Sequence, residues 1–191
     1  MDELKPFNSH FKKLERGVNN KPIIPMESYK GCLYYGNASV MVKTKVDAHV
    51  NQVESNADKL AMVDERYFID KLYSHQITLE TKTFKNIFQV IPKGLKTNDY
   101  LKITLNPDSI VMKPHESLRE LIEVKCTVDL GIEEPFMFAV NPIYVRDVLM
   151  LFSSLKIKSF KLKYTNSNLR PLMFEADGIQ VVVAPVRLPG M

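Results

Sequence analysis

Four histidines, two acidic pairs and two cysteines are the residues of this chain best suited to chemistry: His10, His49, His75, His115, Asp64-Glu65, Glu133-Glu134, Cys32 and Cys126. Acid–base catalysis needs titratable groups that converge, and a zinc site needs His or Cys at short fixed spacings. Neither pattern is written here. The histidines form no HExxH or other i, i+4 pair, the cysteines form no CxxC, and the seven glycines form neither GxGxxG nor a P-loop. His49, on an alternating stretch, reads as a surface or edge residue, with a partner contact as the alternative. Asp64-Glu65 reads as negative charge at a helix N-terminus, and Glu133-Glu134 as a solvated loop. The cysteines read as two reduced, buried thiols. The expectation is a protein without catalytic residues, metal or cofactor.

The cations carry a more coherent pattern. At about 100° per residue, Lys12, Lys13 and Arg16 fall opposite an apolar stripe of Phe7, Phe11, Leu14 and Val18. Lys82 and Lys93 fall opposite a second stripe, Phe84, Ile87, Phe88 and Ile91, with Lys85 on its flank. A further helical segment offers Arg146, and another Arg66 and Lys71. Each set alone is an ordinary solvated face. Helices sharing one surface would sum these charges into a field for phosphates, which binds DNA without reading its sequence. A net charge of +4 permits this without requiring it. Glu15, Asp70 and Asp147 dilute it. Phe84, Phe88 and Phe152 lie on core stripes, so no stacking platform for single strands is expected.

The elements that must position these residues follow from periodicity and turn chemistry. Amphipathic stripes predict helices over 7–18, 64–74, 82–91 and 142–155. Asp64 is the expected N-cap of the second, which would turn Phe68, Ile69, Leu72 and Tyr73 inward. Asn141 and Pro142 mark the start of the fourth. Strands are predicted over 29–35, 39–45, 46–53, 59–63, 76–80, 100–105, 109–113, 121–130, 158–164, 172–176 and 179–184. Gly36-Asn37, Asn106-Pro107-Asp108 and Asp177-Gly178 read as turns. The 191 residues, 45% apolar and 25% charged, suit one large or two small soluble domains. No apolar run reaches the length of a membrane span and the N-terminal stretch is not a signal peptide, so a cytoplasmic protein is expected. One helix followed by about three strands recurs at 7–54, 82–130 and 142–185, an internal repeat. The class is α+β, with antiparallel sheets and helices on one face.

The last 55 residues carry a resemblance. Phe136-Met137-Phe138-Ala139-Val140-Asn141-Pro142 leads into Tyr144-Val145-Arg146-Asp147-Val148-Leu149. The chain later runs through Ile179-Gln180-Val181-Val182-Val183-Ala184-Pro185-Val186-Arg187-Leu188. Together these resemble the C-terminal domain of the bacterial DNA polymerase III beta subunit, the sliding clamp: a helix start of the same type, then a closing apolar strand and a proline-arginine tail at matching separation. Val46-Asp47-Ala48-His49-Val50 is similar to a segment of the preceding clamp domain, with Ala48 for a glycine and Val50-Asn51 for Arg-Leu.

The resemblance implies a processivity fold, with a partial clamp-like domain over 1–75 and a complete one over 76–191. It implies a non-catalytic processivity factor that encircles duplex DNA and lacks cofactors. Lys12, Lys13, Arg16, Lys82, Lys85, Lys93 and Arg146 would face the DNA. DNA polymerase or other replication proteins would dock through a short linear peptide. The pocket for it would comprise Val182, Val183, Ala184, Pro185, Val186, Arg187 and Leu188, with Asp47 and His49 on the other wall. Small and β-branched side chains with one cation at the rim suit a peptide groove. Clamp chains of this family carry three domains and close as dimers; about one and a half are expected here. Closure would then need a homo-oligomer of other stoichiometry, and the alternative is a clamp-derived interaction module that does not encircle DNA.

Overall fold

The structure, a computed structural model, describes residues 4–16, 23–45, 56–89, 100–114 and 123–187. The N-terminal part runs α1 (Lys5–Arg16), β1 (Ile23–Tyr29), β2 (Cys32–Asn37), β3 (Val40–Lys45) and α2 (Ala57–Tyr67). Then follow β4 (His75–Glu80), α3 (Thr81–Gln89), β5 (Leu101–Asn106), β6 (Ser109–Pro114) and β7 (Val124–Thr127). The last stretch is β8 (Phe136–Val140), α4 (Pro142–Ser154), β9 (Ser159–Tyr164), β10 (Leu172–Ala176) and β11 (Ile179–Val183). A 3-10 turn, Asp70–Leu72, links α2 to β4.

All strand pairs are antiparallel, in a seven-stranded sheet ordered β1-β2-β3-β11-β10-β9-β4 and a four-stranded sheet ordered β7-β6-β5-β8. The order contains a pseudosymmetry. The β4-α3-β5-β6-β7 and β8-α4-β9-β10-β11 stretches are two versions of one strand–helix–three-strand unit. Each lends its first strand to the other's sheet: β4 pairs with β9, and β8 with β5. The helix–three-strand repeat is therefore present, with a strand before each of these two helices. The α1-β1-β2-β3 segment enters the larger sheet through the β3–β11 ladder, which runs from Val40↔Val183 to Thr44↔Ile179.

Side-chain alternation gives the large sheet two buried faces. On one, Tyr35, Val40, Val42, Leu172, Phe174, Val181 and Val183 join Phe7 and Leu14 of α1, Phe84 and Phe88 of α3, and Val145, Val148, Leu149 and Phe152 of α4. The four-stranded sheet adds Leu101, Ile103, Leu105, Phe138 and Val140 to this core. Helices α1, α3 and α4 thus form one layer, with α4 packed against both others. On the opposite face, Tyr34, Met41, Met173 and Val182 pack with Leu60 of α2 and with Phe68. Helix α2 therefore stands apart, and Arg66 and Lys71 do not join the cations of the layer.

The turns are specific. Tyr29 pairs with Cys32, so Lys30 and Gly31 form a two-residue loop with both φ values positive, as the strand twist of a hairpin requires. Asp177-Gly178 repeats this conformation at the predicted β10–β11 hairpin. Gly36 lies inside β2, where a Cβ would come within 2.1 Å of the Val40 carbonyl oxygen. The turn itself is Ala38-Ser39, where the Asn37 carboxamide accepts from both Ser39 N and Val40 N.

Several expectations are corrected. The strand predicted over 29–35 is two strands meeting at Lys30-Gly31. The segment 59–63, predicted extended, is helical. Its apolar run is too short to distinguish the two periods, and Leu60, Val63 and Tyr67 face the sheet at helical spacing. Asp64 is consequently mid-helix rather than an N-cap, and Ile69 and Leu72 are exposed rather than inward. Strand β4 does not close a truncated unit behind α2; it opens the next one. Strand β7 is shorter than predicted, and its continuation is held by Val128 N and Leu130 N donating to the carbonyls of Asp108 and Pro107. Cys32 and Cys126 are free and half-buried, not fully buried. The strand predicted over 46–53 lies outside the described residues.

Candidate functional site: a cavity at the β3–β11 seam

Where β3 meets β11, the outer face of the sheet is not filled by α2. A cavity of about 270 Å³ remains. Its floor is Ile24, Met41 and Val182, its far wall is Lys59, Val63 and Tyr67 of α2, and Ala184 and Pro171 close its end. The lining is mainly apolar with few polar groups, the composition of a site for aliphatic or aromatic side chains. The tail beyond β11 is tethered at two points, Ala184 N donating to Ser39 O and Val186 N to Ala139 O. Its course past the cavity is therefore set by the backbone of both sheets.

The wall formed by α2 is pinned by one carboxylate. Asp64 Oδ1 accepts from the Tyr34 hydroxyl at 2.9 Å and pairs with Lys43 Nζ. The Lys43 ammonium also stands 5.7 Å from the ring centres of Tyr34 and Phe68. Burial and the Asp64 hydrogen bond push the Tyr34 hydroxyl well above its ordinary pKa. Behind α2, Lys163 Nζ is bonded to Asp70 at 2.8 Å and Glu175 at 2.7 Å, fixing the link to β4. Burial would lower its pKa, but those two carboxylates outweigh it and raise it. The Asp64→Ala substitution is expected to cost about 1–2 kcal/mol, since the Tyr34 hydroxyl and Lys43 lose their shared acceptor. Hydrogen exchange should then speed up in α2 while β10 and β11 stay protected. Unchanged α2 protection would contradict this anchoring.

The residues expected at a peptide pocket separate by sheet alternation. Val182 and Ala184 line the cavity, whereas Val183 points through the sheet into the main core. Pro185 and Val186 are half-buried along the tail, and Arg187 is exposed at a second, adjacent pocket. Asp47, His49 and Leu188 lie outside the described residues. Sequence reasoning missed Met41, Val63, Tyr67 and Pro171, because β3 and α2 come to the tail only through the seam.

The expected DNA-facing residues sit in the α1/α3/α4 layer. Lys12 and Lys82 are exposed, and Lys13, Lys85 and Arg146 are half-buried. Lys85 Nζ donates to Ser153 Oγ at 2.9 Å, and Lys13 Nζ approaches Met150 Sδ at 3.9 Å. Burial raises the Asp147 carboxyl pKa, against the pull of Lys13 and Arg146. Arg16 is on α1, and Lys93 lies outside the described residues. No group of three or more His, Cys, Asp or Glu among the described residues could hold a metal ion. No helix among them is long and apolar enough to cross a membrane.

Antiparallel sheets of duplicated units, backed by a helical layer, make up a fold that this chain shares with bacterial DNA polymerase sliding clamps. The Helicobacter pylori beta clamp bound to a DNA ligase peptide is similar to this chain with a TM-score of 0.64 and 14% identity, over 95% of this chain and 63% of that one. The Pseudomonas aeruginosa DNA polymerase sliding clamp gives 0.60 and 12%, over 85% and 58%. The Caulobacter crescentus DNA polymerase sliding clamp gives 0.53 and 15%, over 96% and 45%. At these identities the likeness shows the fold alone, and the chain spans less than two thirds of each structure. No family model matches the sequence, and no curated protein matches it.

Proposed function

We propose that this chain is a sliding-clamp-like, non-catalytic processivity factor for a DNA polymerase, which docks partner proteins through a short linear peptide in the β3–β11 cavity. The observation that carries this reading is the cavity itself. It opens where the α1-β1-β2-β3 segment joins the last strand of the large sheet, and tail residues Val182 and Ala184 line it. The H. pylori clamp with a ligase peptide supports a peptide as the occupant class. On the opposite face, Lys12, Lys82 and their neighbours would meet the phosphates of duplex DNA, in a homo-oligomer that completes the ring.

Light scattering with and without nicked circular DNA at low salt tests the DNA part. The expected result is an oligomer retained on the circle and released on linearisation. A monomer that does not bind would remove the encircling function. The second reading, an interaction module that does not encircle DNA, gains from the way Lys85 and Lys13 engage Ser153 and Met150 inside the layer. Under it the peptide still binds and the circle does not. For either reading, Ala184→Phe should fill the cavity and weaken a fluorescent peptide bearing bulky aliphatic residues by about 10-fold or more, the scale of one buried anchor. Unchanged affinity with a folded variant would rule out this cavity.

A further inference from the structure

Beside the seam cavity lies a second pocket of about 640 Å³, whose polarity is the reverse of the first. Arg66 and Lys71 enter it from α2 and the turn after it, Arg170 from the β9–β10 loop, and Arg187 from the tail. All four are exposed, and no carboxylate among the described residues lines the pocket. None of the four forms an ion pair with a described residue. Asp70, the neighbour of Lys71, is bonded to Lys163 instead. Three separate segments of the chain thus converge four cations on one concavity. That concentrates positive potential far more than the same charges spread over a surface. The two pockets share Tyr67 and Pro171 as a common wall, so one extended ligand can occupy both.

We propose that the paired pockets select a peptide whose apolar anchor is flanked by an acidic run, the anchor entering the seam cavity and the carboxylates entering the four-cation pocket. This rests on the peptide reading above and adds its charge specificity. A peptide fits better than a nucleic acid strand. The Tyr67 ring carries the Arg66 guanidinium at 5.4 Å, and the half-buried Tyr73 side chain packs against the α2 core cluster with its hydroxyl donating to Tyr67 O, so neither ring is presented as a free stacking face. The adjoining cavity is apolar and suits side chains.

Two fluorescein-labelled peptides test this, each with a Leu-Leu-Phe anchor, flanked on both sides by three glutamates in one and three glutamines in the other. At low salt the glutamate peptide should bind about 10-fold more tightly, as several exposed ion pairs together would give. High salt should erase the difference. The K71Q/R170Q variant should lose most of the preference while binding the glutamine peptide as before. The milder single change R170Q should lose part of it, and far-ultraviolet circular dichroism confirms folding. Equal binding of both peptides overturns the acidic selectivity and leaves the peptide reading intact. No binding of either overturns both. A labelled oligothymidylate that loses affinity on K71Q/R170Q, while the glutamate peptide does not, overturns the proposal in favour of nucleic acid.

Discussion

Phe160→Ala is expected to destabilise the protein by about 3–5 kcal/mol, a large share of the roughly 5–15 kcal/mol that holds a domain together. Phe160 is on β9 and is 2% exposed. Its ring lies 5.9 Å from Phe84 of α3, 5.6 Å from Phe152 of α4 and 5.6 Å from Phe174 of β10. One side chain therefore joins the helices of both pseudosymmetric units to the large sheet. Truncation removes its buried surface and leaves a cavity whose walls are themselves rings, which cannot collapse inward without leaving their rotamers. Phe160→Leu retains much of the volume and should cost less. Urea unfolding checks this. The midpoint should fall sharply with an unchanged slope, while Met62→Ala, at a position 68% exposed, stays within about 0.5 kcal/mol of the parent. A loss under about 1 kcal/mol for Phe160→Ala would mean that the two units do not share this core.

Such rings were legible in the sequence where one period dominated. Phe84, Phe88, Val145, Val148, Leu149 and Phe152 fall on helical stripes and are buried. Asn141 caps α4 by accepting from Ile143 N, as its place before Pro142 predicts. Asp177-Gly178 also turns as read. The failures have a common physical origin. Residues 59–63 are apolar over too short a run to define a period, and their structure is decided by packing against Tyr34 and Met41, distant in sequence. The Lys30-Gly31 turn carries a weaker signal than the Gly36-Asn37 pair, yet Asn37 directs its turn one residue later through its side chain. The cavity was legible only on one side. The tail pattern pointed to Val182 and Ala184, but nothing local in residues 24, 41, 63 or 67 says that they face it. Alternation along β11 does say that Val182 and Val183 cannot both line one pocket.

Acidification supplies the second large effect, through one of the four scattered histidines. His10 is on α1 and is 3% exposed. Its Nδ1 is 3.0 Å from the Tyr35 hydroxyl, and Nε2 has no partner among the described residues. Protonation would put a charge and a donor into this setting with nothing to receive them. Burial, with a smaller contribution from the Lys13 ammonium, lowers the His10 pKa from 6.5 to about 4. Because the folded pKa is the lower one, the unfolded chain takes up the proton first. Stability is therefore full above about pH 6.5, falls as the pH drops toward 4, and levels off below. That gap corresponds to about 3 kcal/mol, of which about 2 fall between pH 7 and 5, above the ordinary carboxylate range. Asp147 acts with the opposite sign. Its pKa is raised by burial, so it adds stability as the pH falls, and it stands against Lys13 and Arg146. The His10→Asn variant separates the two. It retains a partner for Tyr35, should be less stable at pH 7, and should lose little further stability between pH 7 and 5. Parallel stability curves for the parent and His10→Asn would show that His10 is not buried neutral in this way. Since α1 also carries Lys12 and Lys13, the same protonation would loosen the helical layer proposed to face DNA. Retention on circular DNA should then fail over the same pH interval in the parent and not in His10→Asn.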